Sequence, residues 1–270
     1  MRRRAVLVAL TAGALVLGVP TAASAEGWGG WGWGGRGHHA PPTPAPTPDP
    51  EPIQSGAPVP VADGSAAPNL SFVEHFDTPA VVGQLGRAYA HAWQPYPDGT
   101  SGIYAPSRTV SVHDGVMDVA LGGAGTAGTF GSFAGAWGHV GGTFSVRAMA
   151  TGGDGNGAAF MLWPTSNVWS DGEIDFPEGN FESTPYAFHH SMTPGREAER
   201  IQLDTGVSWR DWHTYTVSWD PGRSVTYSVD GRVLQTITED VPTTPHRFMF
   251  QTGNWGASGH LLIDWVATSE

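Results

Sequence analysis

Five carboxylates stand within the twelve residues DGEIDFPEGNFE, from Asp171 to Glu182, with Ile174, Phe176 and Pro177 set among them. Side chains on an extended strand alternate between two faces, so Glu173 and Asp175 share one face while Ile174 and Phe176 enter a core on the other. Glu178 lies five positions from Glu173, an odd step that would turn it toward the core. Pro177 supplies the remedy, because proline inside a sheet is tolerated mainly at a bulge, and one extra residue returns Glu178 to the face of the other two acids. Like charges in a partly desolvated cleft raise one another's pKa. That cost suits chemistry in which one carboxyl is ionised and another protonated near neutrality. Glycoside hydrolysis needs such a pair, ~5–5.5 Å apart for retention of configuration or ~6.5–9.5 Å for inversion. Four strand steps of ~3.3 Å set the Cα atoms ~13 Å apart, a span that two Glu side chains leaning over a bent strand could largely close, so spacing alone favours neither outcome.

Three other arrangements of these acids compete. A solvated acidic face would carry interspersed basic residues and lack apolar partners as strong as Ile174 and Phe176. A calcium loop of the EF-hand type would match Asp171, Glu173, Asp175 and Glu182 at positions 1, 3, 5 and 12, but that frame requires Gly where Phe176 stands, and flanking helices. A metal-dependent hydrolase would draw on His189 and His190, of which at most one could join the acids, because strand neighbours point apart.

The elements that must position this row are short. Alternating or β-branched and aromatic runs recur at 70–76, 108–113, 116–121, 142–150, 158–163, 186–192, 213–219, 224–229, 232–237, 247–251 and 260–267, separated by Gly, Pro, Asp and Asn. Asp230-Gly231 between Val229 and Arg232 is a hairpin turn signal. No segment holds a helical pattern over several turns; 195–201 is expected to form one short helix. About eleven strands with tight turns predict an all-β antiparallel sandwich.

Composition bounds the rest. Residues 1–25 combine Arg2, Arg3 and Arg4, an apolar run of 15 residues and the ending Ala23-Ser24-Ala25, the pattern of a secretory signal peptide. Spanning a membrane takes about 20 apolar residues, so export to the extracellular space, not anchoring, is expected. Residues 26–68 are first Gly/Trp-rich and then Pro/Thr/Ala-rich, an extended linker, which leaves 69–270 as one folded domain. Net charge is −12, and becomes −15 once the three leader arginines, accompanied by no acid, are removed. That balance argues against nucleic acid or an anionic membrane as partner. With no cysteine, the domain relies on its core. A monomer acting on a polysaccharide is expected.

The segment Glu173-Ile174-Asp175-Phe176-Pro177-Glu178, read E-x-D-x-x-E, resembles the catalytic signature of glycoside hydrolase family 16, the laminarinase and lichenase type of β-glucanase. Supporting matches surround it in order: Ser107-Arg108-Thr109-Val110 with His113-Asp114-Gly115, then Gly141 to Arg147 and Leu162-Trp163-Pro164, and after it Trp212 to Tyr215, Val229-Asp230-Gly231 and Ile263-Asp264-Trp265-Val266. The resemblance covers nearly all of 69–270. It implies a concanavalin-like β-jelly roll of two curved antiparallel sheets, with substrate across the concave face and retention of configuration. It also implies Glu173 as nucleophile, Glu178 as acid and then base, and Asp175 between them as a hydrogen-bonding partner. Trp163 and Trp169 are candidate sugar platforms, since a flat ring stacks on the C–H face of a pyranose; Trp137 and Trp255, flanked by glycine, are further candidates, whereas Trp219 and Trp265 read as core. His189 or His190 would contact the sugar beside the nucleophile, and alternation does not choose between them. Gln251 lies where relatives place sugar contacts, and Arg108 resembles a residue on the donor side. No cofactor is required; a structural calcium is common in the family, with Asp264, Glu74 or Asp77 as its candidate ligands here. A lectin-like binding domain, a transglycosylase and a galactan hydrolase share the fold. The three aligned acids speak against the pure binder, which would only lose by their repulsion.

Overall fold

The computed structural model describes residues 70–131 and 138–269. The expected leader and linker, and Trp137, lie outside the described residues. Fifteen strands form: β1 (Leu70–Glu74), β2 (Trp93–Pro95), β3 (Val110–His113), β4 (Val116–Leu121), β5 (Thr126–Phe130), β6 (Gly142–Gly152), β7 (Gly157–Pro164), β8 (Ile174–Asn180), β9 (Tyr186–His190), β10 (Arg200–Asp204), β11 (His213–Asp220), β12 (Ser224–Val229), β13 (Arg232–Ile237), β14 (His246–Thr252) and β15 (Gly259–Ser269). Two one-turn helices, α1 (Leu85–Ala88) and α2 (Pro106–Thr109), accompany them.

The strands make two antiparallel sheets, the sandwich expected of a jelly roll. One runs β13-β12-β11-β6-β15-β4-β3, with β1 added beside β15; the other runs β10-β9-β8-β7-β14-β5-β2. Alternation explains the strands that were legible in advance. In β12, Val225, Tyr227 and Val229 are buried while Ser224, Thr226 and Ser228 are half-exposed. The β12–β13 hairpin closes where Asp230-Gly231 predicted, both residues having positive φ, 49° and 76°, as a tight hairpin turn requires.

Three expectations need correction. Residues 195–201 do not form a helix; β10 begins at Arg200 and pairs with β9 from Arg200↔His190 to Asp204↔Tyr186. An edge strand that is exposed at four of its five positions carries no alternating pattern to detect. β2 and β5 were also missed: the first is three residues long, and the second, TAGTF, is buried throughout and rich in small residues. Arg108 lies in α2, not in a strand, because Pro106 at the helix start favours the turn and extended structure begins only at Val110.

The intersheet core is aromatic. Phe250 lies 5.9 Å from Trp93, 5.5 Å from Phe130 and 5.4 Å from Phe160 between ring centroids. Gly128 is required beneath Trp93, since a Cβ there would meet the indole at 2.4 Å. β7 is buried at all eight positions: Ala158, Phe160 and Leu162 enter the intersheet core, whereas Ala159, Met161 and Trp163 join Tyr96, Tyr104, Ala127 and Met249 in a second cluster on the sheet's other face. Phe250→Ala is expected to cost about 3–5 kcal/mol of unfolding free energy in denaturant titration. Val233→Ala, at a side chain 57% exposed, is expected to stay within about 0.5 kcal/mol.

Candidate active site

β8 brings the acids together by a slip in register. Asp175 stands opposite Met161 on β7 and Phe188 on β9, while Glu178, three residues on, stands opposite Ala159 and Tyr186, each only two residues from those partners. One extra residue therefore sits between Asp175 and Glu178, in the interval that holds the cis Phe176–Pro177 peptide. It carries Glu178 onto the face shared by Asp175, Met161 and Ala159. Glu173 immediately precedes β8 and continues the ladder, its carbonyl accepting from the His190 N–H at 3.2 Å. On the opposite face Ile174 is 1% exposed, and Phe176 packs edge-on against Tyr215 and Tyr227 at 5.4 and 5.6 Å.

His190 is the cation of the site. Its Nε2 is 3.2 Å from Asp175 Oδ2 and its Nδ1 is 3.9 Å from Glu173 Oε2, while Nδ1–H donates to the Glu197 carbonyl at 2.7 Å. Burial alone would lower the imidazole's pKa; Asp175 and Glu173 more than reverse this and push it up to about 9. Burial, then repulsion from Asp175, pushes Glu173 up to about 8 against the opposing pull of His190. Glu178 is raised well above the usual carboxylate range by burial and by both neighbouring acids, with Arg200 acting the other way. Asp175 itself is 1% exposed, and neither of its oxygens has an aligned hydrogen-bond partner.

His189 is a correction. It pairs with Ile174 and so shares that residue's inward face, where its Nδ1 meets the Tyr227 hydroxyl at 2.9 Å and its Nε2 meets the carbonyls of Glu239 and Asp240 at 2.9 and 3.1 Å. It is a core histidine that does not reach the acids. Of the tryptophans, Trp169 sits in a one-turn 3-10 segment (Trp169–Asp171), with its ring 5.8 Å from that of His190. Trp163 is only 7% exposed, its Nε1 donating to Asn167 Oδ1 at 3.1 Å, so it forms wall more than open platform. Gln251 is 6% exposed, its Oε1 accepting from the Tyr104 hydroxyl at 2.5 Å. Trp255 is 56% exposed in the turn between β14 and β15, its ring laid against Gly253. Arg108 is exposed on α2, one turn before an edge strand of the eight-stranded sheet. Trp219 and Trp265 are buried, as read from their patterns.

The carboxylates named for calcium have partners or exposure of their own. Asp264 is engaged by Arg147, whose guanidinium lies over Trp212 at 4.7 Å; Glu74 accepts from the Phe76 N–H at 2.8 Å and contacts His91 at 2.9 Å; Asp77 is exposed. Among the described residues the one group of three or more acids or histidines with mutually close donor atoms is Glu173, Asp175 and His190, all within 4.8 Å.

Tyr186, Phe188 and Arg200 escaped the sequence reading. Tyr186 and Phe188 lie side by side at 5.8 Å and 14°, and the Arg200 guanidinium covers Phe188 at 4.4 Å. Their signal was available, since residues two and four before His190 on one strand share its face, but it needed His190 to be chosen first.

The profile of Glycosyl hydrolases family 16 matches residues 109–267, and the chain belongs to that family. A beta-glucanase of Bacillus subtilis (strain 168) is 28% identical over 131 residues, 47% of this chain and 51% of that protein. An Arabidopsis thaliana protein named "Probable xyloglucan endotransglucosylase/hydrolase protein 23" is 23% identical over 133 residues, 44% of this chain and 46% of that protein. The chain thus spans about half the length of the curated relatives it matches. Among solved structures, a variant of LamA from Z. galactanivorans in complex with laminaritriose and laminaritetraose superposes with a TM-score of 0.59 at 16% identity, covering 76% of this chain and 100% of the other.

The charge arrangement predicts the titration of His190. Its imidazole is expected to stay protonated through neutral pH and to lose its proton near 9, as followed by nitrogen-15 NMR. Asp175→Asn should move that midpoint down toward the ordinary value of about 6.5. Because the folded pKa exceeds the unfolded one, the stability contributed by this contact is complete below about 6.5 and disappears as pH rises through the folded value.

Proposed function

We propose that this member of family 16 is an exported, retaining endo-β-glucanase that cleaves β-1,3- or mixed β-1,3/1,4-glucan. The observation that carries the reading is the register slip in β8, which places Glu178 on the face of Glu173 and Asp175. In the proposed first step the ionised Glu173 carboxylate attacks the anomeric carbon, and the Glu178 carboxyl gives its proton to the departing glycosidic oxygen. A glycosyl-enzyme ester results. In the second step Glu178, now ionised, takes a proton from water as that water attacks the same carbon, which frees Glu173 and restores Glu178 to its acid form. Two inversions leave the β-configuration. Asp175, buried between them without an aligned partner, supplies an acceptor for the proton of whichever glutamic acid is neutral. Trp169, with His190, borders the nucleophile as a surface for the sugar ring.

Substrate choice is supported by the beta-glucanase relative and by the laminari-oligosaccharides bound in the LamA structure. A second reading follows from the Arabidopsis relative: the same ester transferred to a sugar hydroxyl instead of water. The two share every residue named above and diverge only at the acceptor. Export is supported by the basic, apolar and Ala-Ser-Ala order of the first 25 residues.

The mature chain is expected to release reducing ends from laminarin or barley β-glucan but not agarose, with β-anomers as first products in proton NMR. Glu178→Gln should lower kcat about 10²–10⁴-fold, and Glu173→Gln should abolish turnover with the circular dichroism spectrum unchanged. Activity should climb with pH as Glu173 ionises toward about 8 and decline as Glu178 loses its proton. Full activity of the Glu173→Gln protein would refute the nucleophile assignment; release of α-anomers would refute retention.

A further inference from the structure

His190 and the two acids beside it have a property that glycoside cleavage does not use. Glu173, Asp175 and His190 each present a ligand atom within 4.8 Å of the other two. Zinc–nitrogen and zinc–oxygen bonds run about 2.0–2.2 Å, so small side-chain rotations let all three reach one ion. The imidazole is already oriented for ligation: its Nδ1–H is tied to the Glu197 carbonyl at 2.7 Å, the outer-shell contact that fixes the tautomer of metal-binding histidines, and its Nε2 faces Asp175 Oδ2 at 3.2 Å. Asp175 is 1% exposed, with neither oxygen in an aligned hydrogen bond. Such a carboxylate is costly to bury; the His190 imidazolium offsets part of that cost, and a doubly charged ion would offset more.

We infer that Glu173, Asp175 and His190 bind one borderline divalent transition ion, Zn²⁺ or Cu²⁺, which displaces protons from the site and reversibly blocks the enzyme. Two carboxylates and a neutral imidazole cancel the ion's double charge. Binding releases the Nε2 proton of His190, together with the Glu173 proton in the fraction of molecules that carry one. The mixed oxygen and nitrogen set disfavours Ca²⁺ and Mg²⁺, which want oxygen only, and the usual affinity order puts Cu²⁺ ahead of Zn²⁺. The half-buried side of Glu173 leaves a further position open. Once ligated, the Glu173 carboxylate shares its charge with the ion and is a much weaker nucleophile toward an anomeric carbon. The binding stands by itself, whereas the inhibition rests on the glucanase reading.

Calorimetric titration of Zn²⁺ into the mature chain, with Co²⁺ absorption as a second probe, tests the inference. One site is expected, at least about tenfold weaker in both Asp175→Asn and His190→Gln. Glu173→Gln, a near-isosteric change at a half-buried position, provides a third variant should Asp175→Asn not fold. Affinity should be unaltered in His113→Ala and His260→Ala, whose rings contact Asp118 at 2.9 and 2.8 Å on the other sheet. Zinc should compete with laminarin, and EDTA should restore activity. Equal affinity in the Asp175 and His190 variants, loss of binding in the His113 or His260 variants, or no binding at millimolar zinc would overturn the site. Zinc bound at these residues in a protein that cleaves no glucan would uphold the site and reject the glucanase reading; an active glucanase that binds no zinc would do the reverse.

Discussion

Repulsion among three buried or half-buried carboxylates on one strand, countered at close range by a single imidazole, is the constraint around which this structure is organised. Each acid removed from water favours its neutral form, and each neighbour adds to that preference. The site therefore holds protons that a solvated acidic surface would have lost. His190 limits the effect without cancelling it, because one imidazolium faces three carboxyl groups. Its orientation depends on a backbone carbonyl, Glu197, in the connection between β9 and β10, so a segment without regular structure sets the electrostatics of a centre built on regular strands.

The sheet tolerates this repulsion because β8 is anchored from behind. Ile174 and Phe176 enter the intersheet core, and Phe176 is clamped by Tyr215 and Tyr227; His189, one residue from His190, is fastened to Tyr227 as well. The apolar residues interleaved with the acids are thus the means by which like charges are held close, since burying such side chains contributes about 1.5–3 kcal/mol each. Register on both sides of β8 changes at the same point.

The seven-stranded sheet is unequally covered on the face that carries the acids. Toward β14 and β5, Tyr96 and Tyr104 pack over Met249 and Ala127, so Gln251 and Trp163, attractive as sugar contacts on the basis of residue type, are mostly enclosed. Toward β9 and β10, Tyr186 and Arg200 remain accessible beside Glu178. Residue type identifies what could touch a sugar; coverage by distant segments decides what is left open to one.

Much was legible in the amino-acid order alone. The parity of Glu173, Asp175 and Glu178 about Pro177, the Asp230-Gly231 turn and the alternating strands are short-range features, and alternation on a pleated strand makes them readable without a fold. The family signature and the two-sheet architecture followed from them. The choice between His189 and His190, the strand at Arg200–Asp204, the enclosure of Trp163 and the capture of Asp264 by Arg147 were decided by tertiary structure. Each depends on which residue of a remote strand lies opposite, or which loop folds over, and pairing across a sheet is set by the packing of the whole sandwich, which no local window contains.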